Sequence, residues 1–391
     1  MAAEVVERWL KSKRNAIICR MPLKPIEHGR RQGKPLSSQK GQAEAFFLTD
    51  DHGRWWILKK FHGNCNLDRR YLARVSSLLP QEKGFACGTQ RQILSAGSLW
   101  KTWGYHYSKD LDRWLDGTIL MPRIEGLDWA GLADELRDGS IQLDASQRIA
   151  ICKSLTQLIE RLEAKQCCHR DLSCGNVFID SQGLLSFLID FDSLYHPSLT
   201  MPHATTCGTT GYTSHLAWNR GRLDAQRTWC EYADRYALAL LNVEFLLVDG
   251  HSEVTGEGGI FAQEELRKQA GTGLTSILGQ LRTVFPGAVQ LLESTIQSST
   301  FSDCPGPGDW MRFFDATGGV SPKPAAIGEL MTAGYNRIGK ILGKRRPAAP
   351  LWPAPSLNQM AQGALCVPRK PQVKLPQLSL PANPWDKQNG P

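Results

Sequence analysis

The sequence predicts an α+β fold, in which a small β-rich part comes first and a mainly helical part follows. Two observations carry this prediction: a pair of apolar runs that flank an Asp- and Gly-containing turn near residue 50, and two long helical patterns at 144–165 and 234–248. A chain of 391 residues is longer than one average domain, so two or three compact units are expected. The hydrophobic fraction of 41% and the charged fraction of 21% are ordinary for a globular protein.

The elements of the first part are short. Residues 46–49 and 55–61 are apolar runs separated by Asp-Asp-His-Gly, a sequence typical of a β-hairpin. Residues 67–79 carry apolar side chains at helical spacing, and Pro80 ends this pattern. Residues 118–121 are predicted to form a short buried strand before Pro122.

Longer elements follow. Residues 145–165 place apolar side chains on one helical face, and Asp144 can cap that helix. Residues 177–179 and 184–189 are predicted strands around a Ser-Gln-Gly turn, and 234–248 is a mostly apolar helix that should be buried on most sides. From residue 318 onward proline is frequent, so this stretch is predicted to be extended or disordered, with a short helix near 327–342 as the exception.

Charge and cysteine usage exclude several classes of protein. The net charge of +8 is not concentrated in one dense block, so a nucleic-acid partner is not indicated. The 11 cysteines include no CxxC pair, which argues against a zinc site and favours a reducing compartment. Residues 1–13 alternate apolar and charged side chains, so we do not expect them to form a signal peptide, and the sequence has no run of 18 apolar residues. We therefore expect a soluble cytoplasmic protein without a membrane partner.

The predicted chemistry lies in two segments, 169–176 with the sequence HRDLSCGN and 190–192 with the sequence DFD. Phosphoryl transfer needs a base that orients a hydroxyl group and hard oxygen ligands that hold a metal against phosphates. Asp171 and Asn176, five residues apart on one loop, suit those two roles. Asp190, at the end of a predicted strand, suits Mg²⁺. Each of these residues alone is consistent with a structural role. Their occurrence together favours a catalytic one.

On these residues the sequence resembles the protein-kinase superfamily, from about residue 35 to residue 314. The resemblance implies a two-lobed fold with an N-lobe at 35–121 and a C-lobe at 122–316. It leaves an N-terminal extension at 1–34 and a Pro-rich, basic, largely disordered tail at 317–391. It also implies an enzyme that transfers the γ-phosphate of ATP, with Mg²⁺, to Ser or Thr of a protein substrate and that phosphorylates itself.

The resemblance also implies roles for single residues. Lys59, in the strand sequence WILK, would position the phosphates of ATP, while strand alternation directs Lys60 to the other face. The implied site comprises the catalytic base Asp171, the metal ligands Asn176 and Asp190, the nucleotide-binding residues Gly41, Met121, Ile124 and Asp128, the structural residues His169 and Asp234, the substrate-platform residue Thr209, and the regulatory residues Arg170, Thr205 and Thr206.

The sequence departs from the kinase pattern at several places. The loop at 38–45, expected to be glycine-rich, retains only Gly41, and Asp192 stands where the pattern Asp-Phe-Gly has glycine. Ser173 replaces a catalytic-loop lysine, and Ser-His-Leu at 214–216 replaces Ala-Pro-Glu. The glutamate that normally pairs with the strand lysine is not evident. Glu82 is the only glutamate between residues 60 and 99, and it follows a proline in a predicted loop.

Two other function classes stay open. A small-molecule phosphotransferase of the aminoglycoside or choline kinase type shares the Asp/Asn/Asp core, and a pseudokinase scaffold would bind partners without catalysis. Within the superfamily, the sequences KKFH at 59–62, FACGT at 85–89 and IDFDS at 189–193 are similar to bacterial kinases of tellurite-resistance-type phosphorylation systems. That similarity implies a PP2C-type phosphatase and a von Willebrand A-type protein as partners.

Overall fold

The computed structural model describes residues 2–40, 43–62, 68–180, 185–202, 205–249, 252 and 259–317. All of them belong to one compact unit, Met1–Arg345. An antiparallel sheet forms the N-terminal part and helices dominate the C-terminal part, which confirms the α+β prediction. The predicted tail, the predicted helix near 327–342 and Gly41 lie outside the described residues.

The N-terminal sheet has eight strands within the described part of the chain. Their bounds are β1 Ala16–Ile18, β2 Met21–Pro25, β3 Ser37–Lys40, β4 Ala43–Asp50, β5 Trp55–Phe61, β6 Gln92–Ile93, β7 Leu99–Trp100 and β8 Ile119–Pro122. The strands pair antiparallel in the order β6-β8-β5-β4-β2-β1-β7, and β3 is an additional strand that pairs with β4.

The hairpin of β4 and β5 is built around one buried carboxylate. Asp50 accepts hydrogen bonds from the backbone N–H groups of His52 and Arg54, and its second oxygen accepts one from Arg54 Nε at 2.7 Å. Gly53 takes a positive φ of 77°, a conformation that glycine adopts without steric cost. The turn thereby sets the register in which Leu58 pairs with Phe46, and the predicted hairpin is confirmed.

The first 34 residues are not an extension outside the sheet, and the predicted boundary needs correction. Helix α1 (Ala2–Lys11) buries Val6 and Trp9 in the same core as Phe46 and Leu58. Strand β2 pairs with β4, and β1 pairs with both β2 and β7. The segment therefore contributes one helix and two strands to the N-terminal part, because its apolar side chains complete that core.

Helices and short sheets make up the rest of the described chain. The helices after α1 are α2 Arg69–Leu78, α3 Ala86–Thr89, α4 Lys109–Leu115, α5 Trp129–Arg137, α6 Ala145–Glu163, α7 Asp234–Leu247, α8 Gln263–Lys268, α9 Thr272–Val284, α10 Pro286–Gln297 and α11 Pro307–Thr317. The remaining strands are β9 Leu127–Asp128, β10 Val177–Ile179, β11 Ser186–Leu188, β12 Trp218–Asn219 and β13 Arg222–Leu223. Strands β9, β10 and β11 form a three-stranded sheet with β10 in the centre.

The two predicted long helices, α6 and α7, form the centre of the helical part. Asp144 caps α6 through a capping box with Gln147, in which each side chain accepts a hydrogen bond from the other residue's backbone N–H. Helix α7 is buried along almost its whole length and packs on α6. Both helices are confirmed to within a few residues of their predicted ends. Among the helices of the described chain, none combines the length and the apolar character needed to cross a membrane.

Candidate functional site

Lys59 and Asp190 come together from elements that are 131 residues apart in sequence. Lys59 lies on β5, and its Nζ donates to Asp190 Oδ1 at 2.6 Å and to Asp192 Oδ2 at 2.6 Å. Lys60, the next residue of the strand, instead donates to the main-chain oxygens of Trp114 and Asp116. Strand alternation therefore separates the two lysines as predicted, and only Lys59 faces the segment that follows β11.

The two carboxylates beside Lys59 differ in their surroundings. Loss of solvent raises the pKa of Asp190, Lys59 opposes this shift, and the negative charge of Asp192 adds to it. Loss of solvent also acts against ionised Asp192, but Lys59 and Arg91 together outweigh it and hold the pKa of that carboxyl below its usual value. Asp192 is therefore the more firmly ionised of the two.

The predicted catalytic loop brings Asp171 and Asn176 into direct contact. Asn176 Nδ2 donates to the main-chain oxygen of Asp171 at 2.8 Å and lies 3.4 Å from its carboxylate. Thr209, which is 38 residues further along the chain, donates from Oγ1 to Asp171 Oδ1 at 2.7 Å. Ile189 N donates to the main-chain oxygen of Asn176 at 3.0 Å, so the loop is tied to the residue just before Asp190.

Two buried side chains hold the predicted catalytic loop in place. Asp234, at the start of α7, accepts hydrogen bonds from the backbone N–H groups of His169 and Arg170 at 2.5 and 2.8 Å. The His169 ring contacts the main-chain oxygen of Ile189 through Nε2 at 2.7 Å and packs against Phe191. These contacts supply hydrogen-bond partners for buried polar groups, and such groups are costly to bury without partners.

Arg170 is a buried guanidinium surrounded by neutral acceptors. Its Nη1 donates to Thr205 Oγ1 at 2.7 Å, and its Nη2 donates to the main-chain oxygen of Thr206 at 3.1 Å. Further bonds reach Thr228, and the group lies over the Trp229 ring at 4.7 Å. Burial lowers the pKa of Arg170 below its usual value. The hydroxyl of Thr206 instead bonds to the backbone of Gly208.

The nucleotide-binding candidates that the structure describes lie where the sheet meets the helical part, and they are Met121, Ile124 and Asp128. Met121, on β8, lines a small pocket with Lys59 and Phe191, and its sulfur is 3.1 Å from Cys87 Sγ. Ile124 is half-buried in the link between β8 and β9. Asp128 caps α5 by accepting a hydrogen bond from Gly131 N at 2.9 Å, so the structure gives this side chain a helix-capping role.

Glu82, the glutamate considered as the partner of Lys59, lies elsewhere. Its carboxylate pairs with Arg161 at 2.7 Å, and its side chain is 45% exposed. Asp192 takes the position beside Lys59, with Arg91 behind it at 3.0 Å. In the sequence Asp192 is a departure from the kinase pattern, and no local pattern connects it with Lys59 or Arg91.

Asn176 and Asp190 have side chains of the chemistry that Mg²⁺ prefers. Both offer hard oxygen ligands, and a main-chain hydrogen bond joins Asn176 to Ile189, the residue before Asp190. Asp190 keeps 36% of its side chain exposed and has a positive φ of 64°, a strained conformation of the kind found at functional sites. Among the described residues, no three His, Cys, Asp or Glu side chains are grouped to hold a metal by themselves. Mg²⁺ commonly takes only one or two protein ligands and completes its coordination with phosphates and water.

No protein-family model matches this chain, and no curated protein matches it in sequence. The function of the site therefore has to be inferred from its own residues and their arrangement.

Proposed function

We propose that this protein is a Ser/Thr protein kinase that uses Mg-ATP and has a two-lobed, protein-kinase-like fold. The observation that carries the proposal is the 2.6 Å contact between Lys59 on the sheet and Asp190 on the helical side, next to the Asp171–Asn176 pair. A phosphate-binding cation, a metal-binding carboxylate and a base are the groups that phosphoryl transfer requires. In this proposal the N-lobe ends at residue 121 and the C-lobe spans 122–316.

Each residue has one role in the proposed reaction. Asp171 accepts the proton of the acceptor hydroxyl and orients that hydroxyl, while Lys59 positions the phosphates of ATP. Asn176 and Asp190 hold Mg²⁺. When bound, the ion neutralises negative charge on the phosphates. Met121 and Ile124 line the link in which main-chain groups would bind adenine.

Contacts of Thr209 and Arg170 favour a protein acceptor over a small metabolite. Thr209 already donates a hydroxyl hydrogen bond to Asp171 at 2.7 Å, so a Ser or Thr hydroxyl is sterically and chemically compatible with this carboxylate. Arg170 holds Thr205 and Thr206 of the segment before Thr209. A small-molecule kinase needs neither a peptide platform nor a phosphate-sensing arginine. A cytoplasmic location and partnership with a PP2C-type phosphatase and a von Willebrand A-type protein remain parts of the proposal.

The first prediction concerns catalysis. Asp171→Asn and Asp190→Asn should each lower the rate of phosphate transfer by about 10²–10⁴-fold, because each removes a group that acts on the reacting atoms. The measurement is transfer of labelled γ-phosphate from ATP in the presence of Mg²⁺, followed by phospho-residue analysis. Asp315→Asn is the matched control. Its exposed carboxylate pairs with Lys153 on helix α6 and, within the described part of the chain, has no hydrogen bond or ion pair with a proposed catalytic residue, so the rate of this variant should equal that of the unmodified protein.

The outcome separates the three function classes. Phosphoserine or phosphothreonine in protein supports the proposal. Phosphate found only on a metabolite would indicate a small-molecule phosphotransferase, and nucleotide binding without transfer would indicate a pseudokinase. Unchanged turnover in both Asp171→Asn and Asp190→Asn would contradict the assigned roles.

A further inference from the structure

Asp192 is the carboxylate that lies between the buried Arg91 and the half-buried Lys59. Its Oδ2 accepts from Lys59 Nζ at 2.6 Å, and its Oδ1 accepts from Arg91 Nη1 at 3.0 Å. The Arg91 side chain is 3% exposed and that of Asp192 is 18% exposed. The three side chains therefore form a continuous row, Arg91–Asp192–Lys59, with the most deeply buried side chain, Arg91, at one end.

Arg91 is itself held by helix α2. Its Nη2 donates to the main-chain oxygen of Leu72 at 2.6 Å, and its Nε donates to Ser76 Oγ at 3.0 Å. Helix α2 has the sequence RRYLARVSSL and contains no acidic residue. This helix therefore cannot offer Lys59 a carboxylate of its own, and Arg91 connects it with Asp192.

Asp190 and Asp192 are suited to different tasks. Asp190 has 36% of its side chain exposed, twice the 18% of Asp192, so Asp190 is the carboxylate open to a ligand. Asp192 is not among the described residues with positive φ, so its backbone does not require the glycine that the kinase pattern has at this position. The exchange of glycine for Asp is thus compatible with the local backbone and supplies a fixed anion.

We infer that Asp192 is the positioning residue that aims Lys59 at the phosphates of the nucleotide, and that Asp192 is fixed by Arg91, which is itself hydrogen-bonded to α2. The inference rests on the proposed function, because it names what orients the lysine of that same site. Arg91 and Asp192 act through Lys59 and do not touch the reacting atoms.

Asp192 can affect phosphate binding in two ways, and the two have opposite signs. A carboxylate near anionic phosphates repels them, so its neutralisation should strengthen phosphate binding if repulsion is all that it does. If Asp192 instead holds Lys59 in place, its neutralisation frees the lysine and should weaken phosphate binding. Adenosine, which has no phosphate, should be insensitive to both effects.

The test is calorimetric titration of the full chain with ADP and with adenosine, in EDTA and again with Mg²⁺. Asp192→Asn should weaken ADP binding by about tenfold, the size expected for loss of a hydrogen bond to a charged group, and should change adenosine binding less than about twofold. Arg91→Lys should show the same phosphate-selective loss, because lysine cannot reproduce the three hydrogen bonds of the guanidinium. Glu82→Gln is the matched control: it neutralises another carboxylate–arginine pair and should change neither affinity.

A double variant shows whether Asp192 acts through Lys59. Lys59→Met combined with Asp192→Asn should bind ADP no more weakly than Lys59→Met alone. Tighter or unchanged ADP binding by Asp192→Asn, or equal losses for ADP and adenosine, would overturn the inference while leaving the proposed function intact. Failure of the unmodified protein to bind either compound would overturn the proposed function, and the inference with it.

Discussion

Glu244 lies in the buried helix α7 and is surrounded by hydrogen-bond donors. Its Oε2 accepts from Trp129 Nε1 at 3.0 Å and from the Tyr212 hydroxyl at 2.8 Å, and its Oε1 accepts from Ile260 N at 3.0 Å. Burial raises the pKa of Glu244 to about 7, and the three hydrogen bonds oppose that shift. This side chain connects the helical core with Tyr212, three residues after the predicted substrate-platform residue.

The raised pKa of Glu244 predicts a stability that falls with pH. Between about pH 4.5 and pH 7 the unfolded chain has an ionised Glu244 while the folded chain keeps it protonated, so the folded state binds more protons. The contribution of this group is therefore fully present below about pH 4.5 and is lost as the pH rises through 7. The expected loss in the free energy of unfolding is roughly 3 kcal/mol. Thermal unfolding of the wild type and Glu244→Gln from pH 5 to pH 8 measures it.

Glu244→Gln removes the titration, so the difference in unfolding midpoint between wild type and variant should change steadily over this range. The unfolding midpoint of the variant should rise relative to that of the wild type as the pH increases. A hydrogen bond lost in the variant would add a constant offset to this difference and would not alter its trend. Parallel midpoint curves for the two proteins would show that Glu244 keeps an ordinary pKa in the folded state.

At the scale of elements, the short helix α3 supports the segment that carries both acidic residues of the site. Gly88 of α3 lies against Phe191, the residue between Asp190 and Asp192. A Cβ at position 88 would lie 2.6 Å from Phe191 Cδ2, closer than van der Waals contact allows. Phe191 is 1% exposed and also packs against Phe85 and His169, so it has little room to move.

Gly88→Ala should therefore destabilise the fold by about 1–3 kcal/mol, the usual cost of adding a methyl group to a packed core. It should also weaken ADP binding, because displacement of Phe191 moves its two acidic neighbours. Gly279→Ala in α9 is the matched control, since a Cβ there would meet nothing within 4 Å. That control should gain about 0.5–1 kcal/mol. Denaturant unfolding checks both values, and equal stability of the two variants would contradict the packing argument.

At the scale of the whole molecule, Arg170 joins segments that are far apart in the chain. It contacts Ser193, Thr205 and Thr206 on one side and Thr228 on the other, while Asp234 holds its backbone. The partners of the guanidinium are neutral oxygen atoms. A phosphate on Thr205 would place about −1.5 to −2 charges at pH 7 next to a guanidinium that already bonds to this hydroxyl.

We predict that Thr205 is the regulatory phosphorylation site, in preference to Thr206, whose hydroxyl is turned toward Gly208. Phosphorylation should raise the midpoint of thermal unfolding by a few degrees, as expected for one or two new charge-assisted hydrogen bonds in a protein of this size. Mass spectrometry after incubation with Mg-ATP identifies the site, and thermal unfolding before and after measures the effect.

Thr205→Ala should abolish the rise in unfolding midpoint, whereas Thr206→Ala should keep it. Arg170→Lys should reduce the rise, because lysine makes a point contact where arginine bonds with a planar fork. Phosphate absent from this segment, with full activity in Thr205→Ala and Arg170→Lys, would leave Arg170 with a structural role alone.

The features that the sequence determined by itself are those with a local physical cause. Helix α6 follows from its apolar spacing and from Asp144, which caps it three residues before Gln147. The β4–β5 hairpin follows from its turn residues, and the nearness of Asp171 to Asn176 follows from five residues of one loop. Each depends on neighbours within a few residues, so one sequence carries enough information to predict it.

The tertiary structure decided what depends on residues far apart. The partners of Lys59 are 131 and 133 residues away, and no pattern near Lys59 distinguishes Asp192 from Glu82 as its second carboxylate. The place of residues 2–25 in the N-terminal part was missed for a related reason. Strands of three to five residues, such as β1 and β2, show too little periodicity to be recognised, and they are stabilised by the core that α1 completes. Contacts of this kind form only when the whole chain has folded, because their free energy comes from burial shared among distant segments.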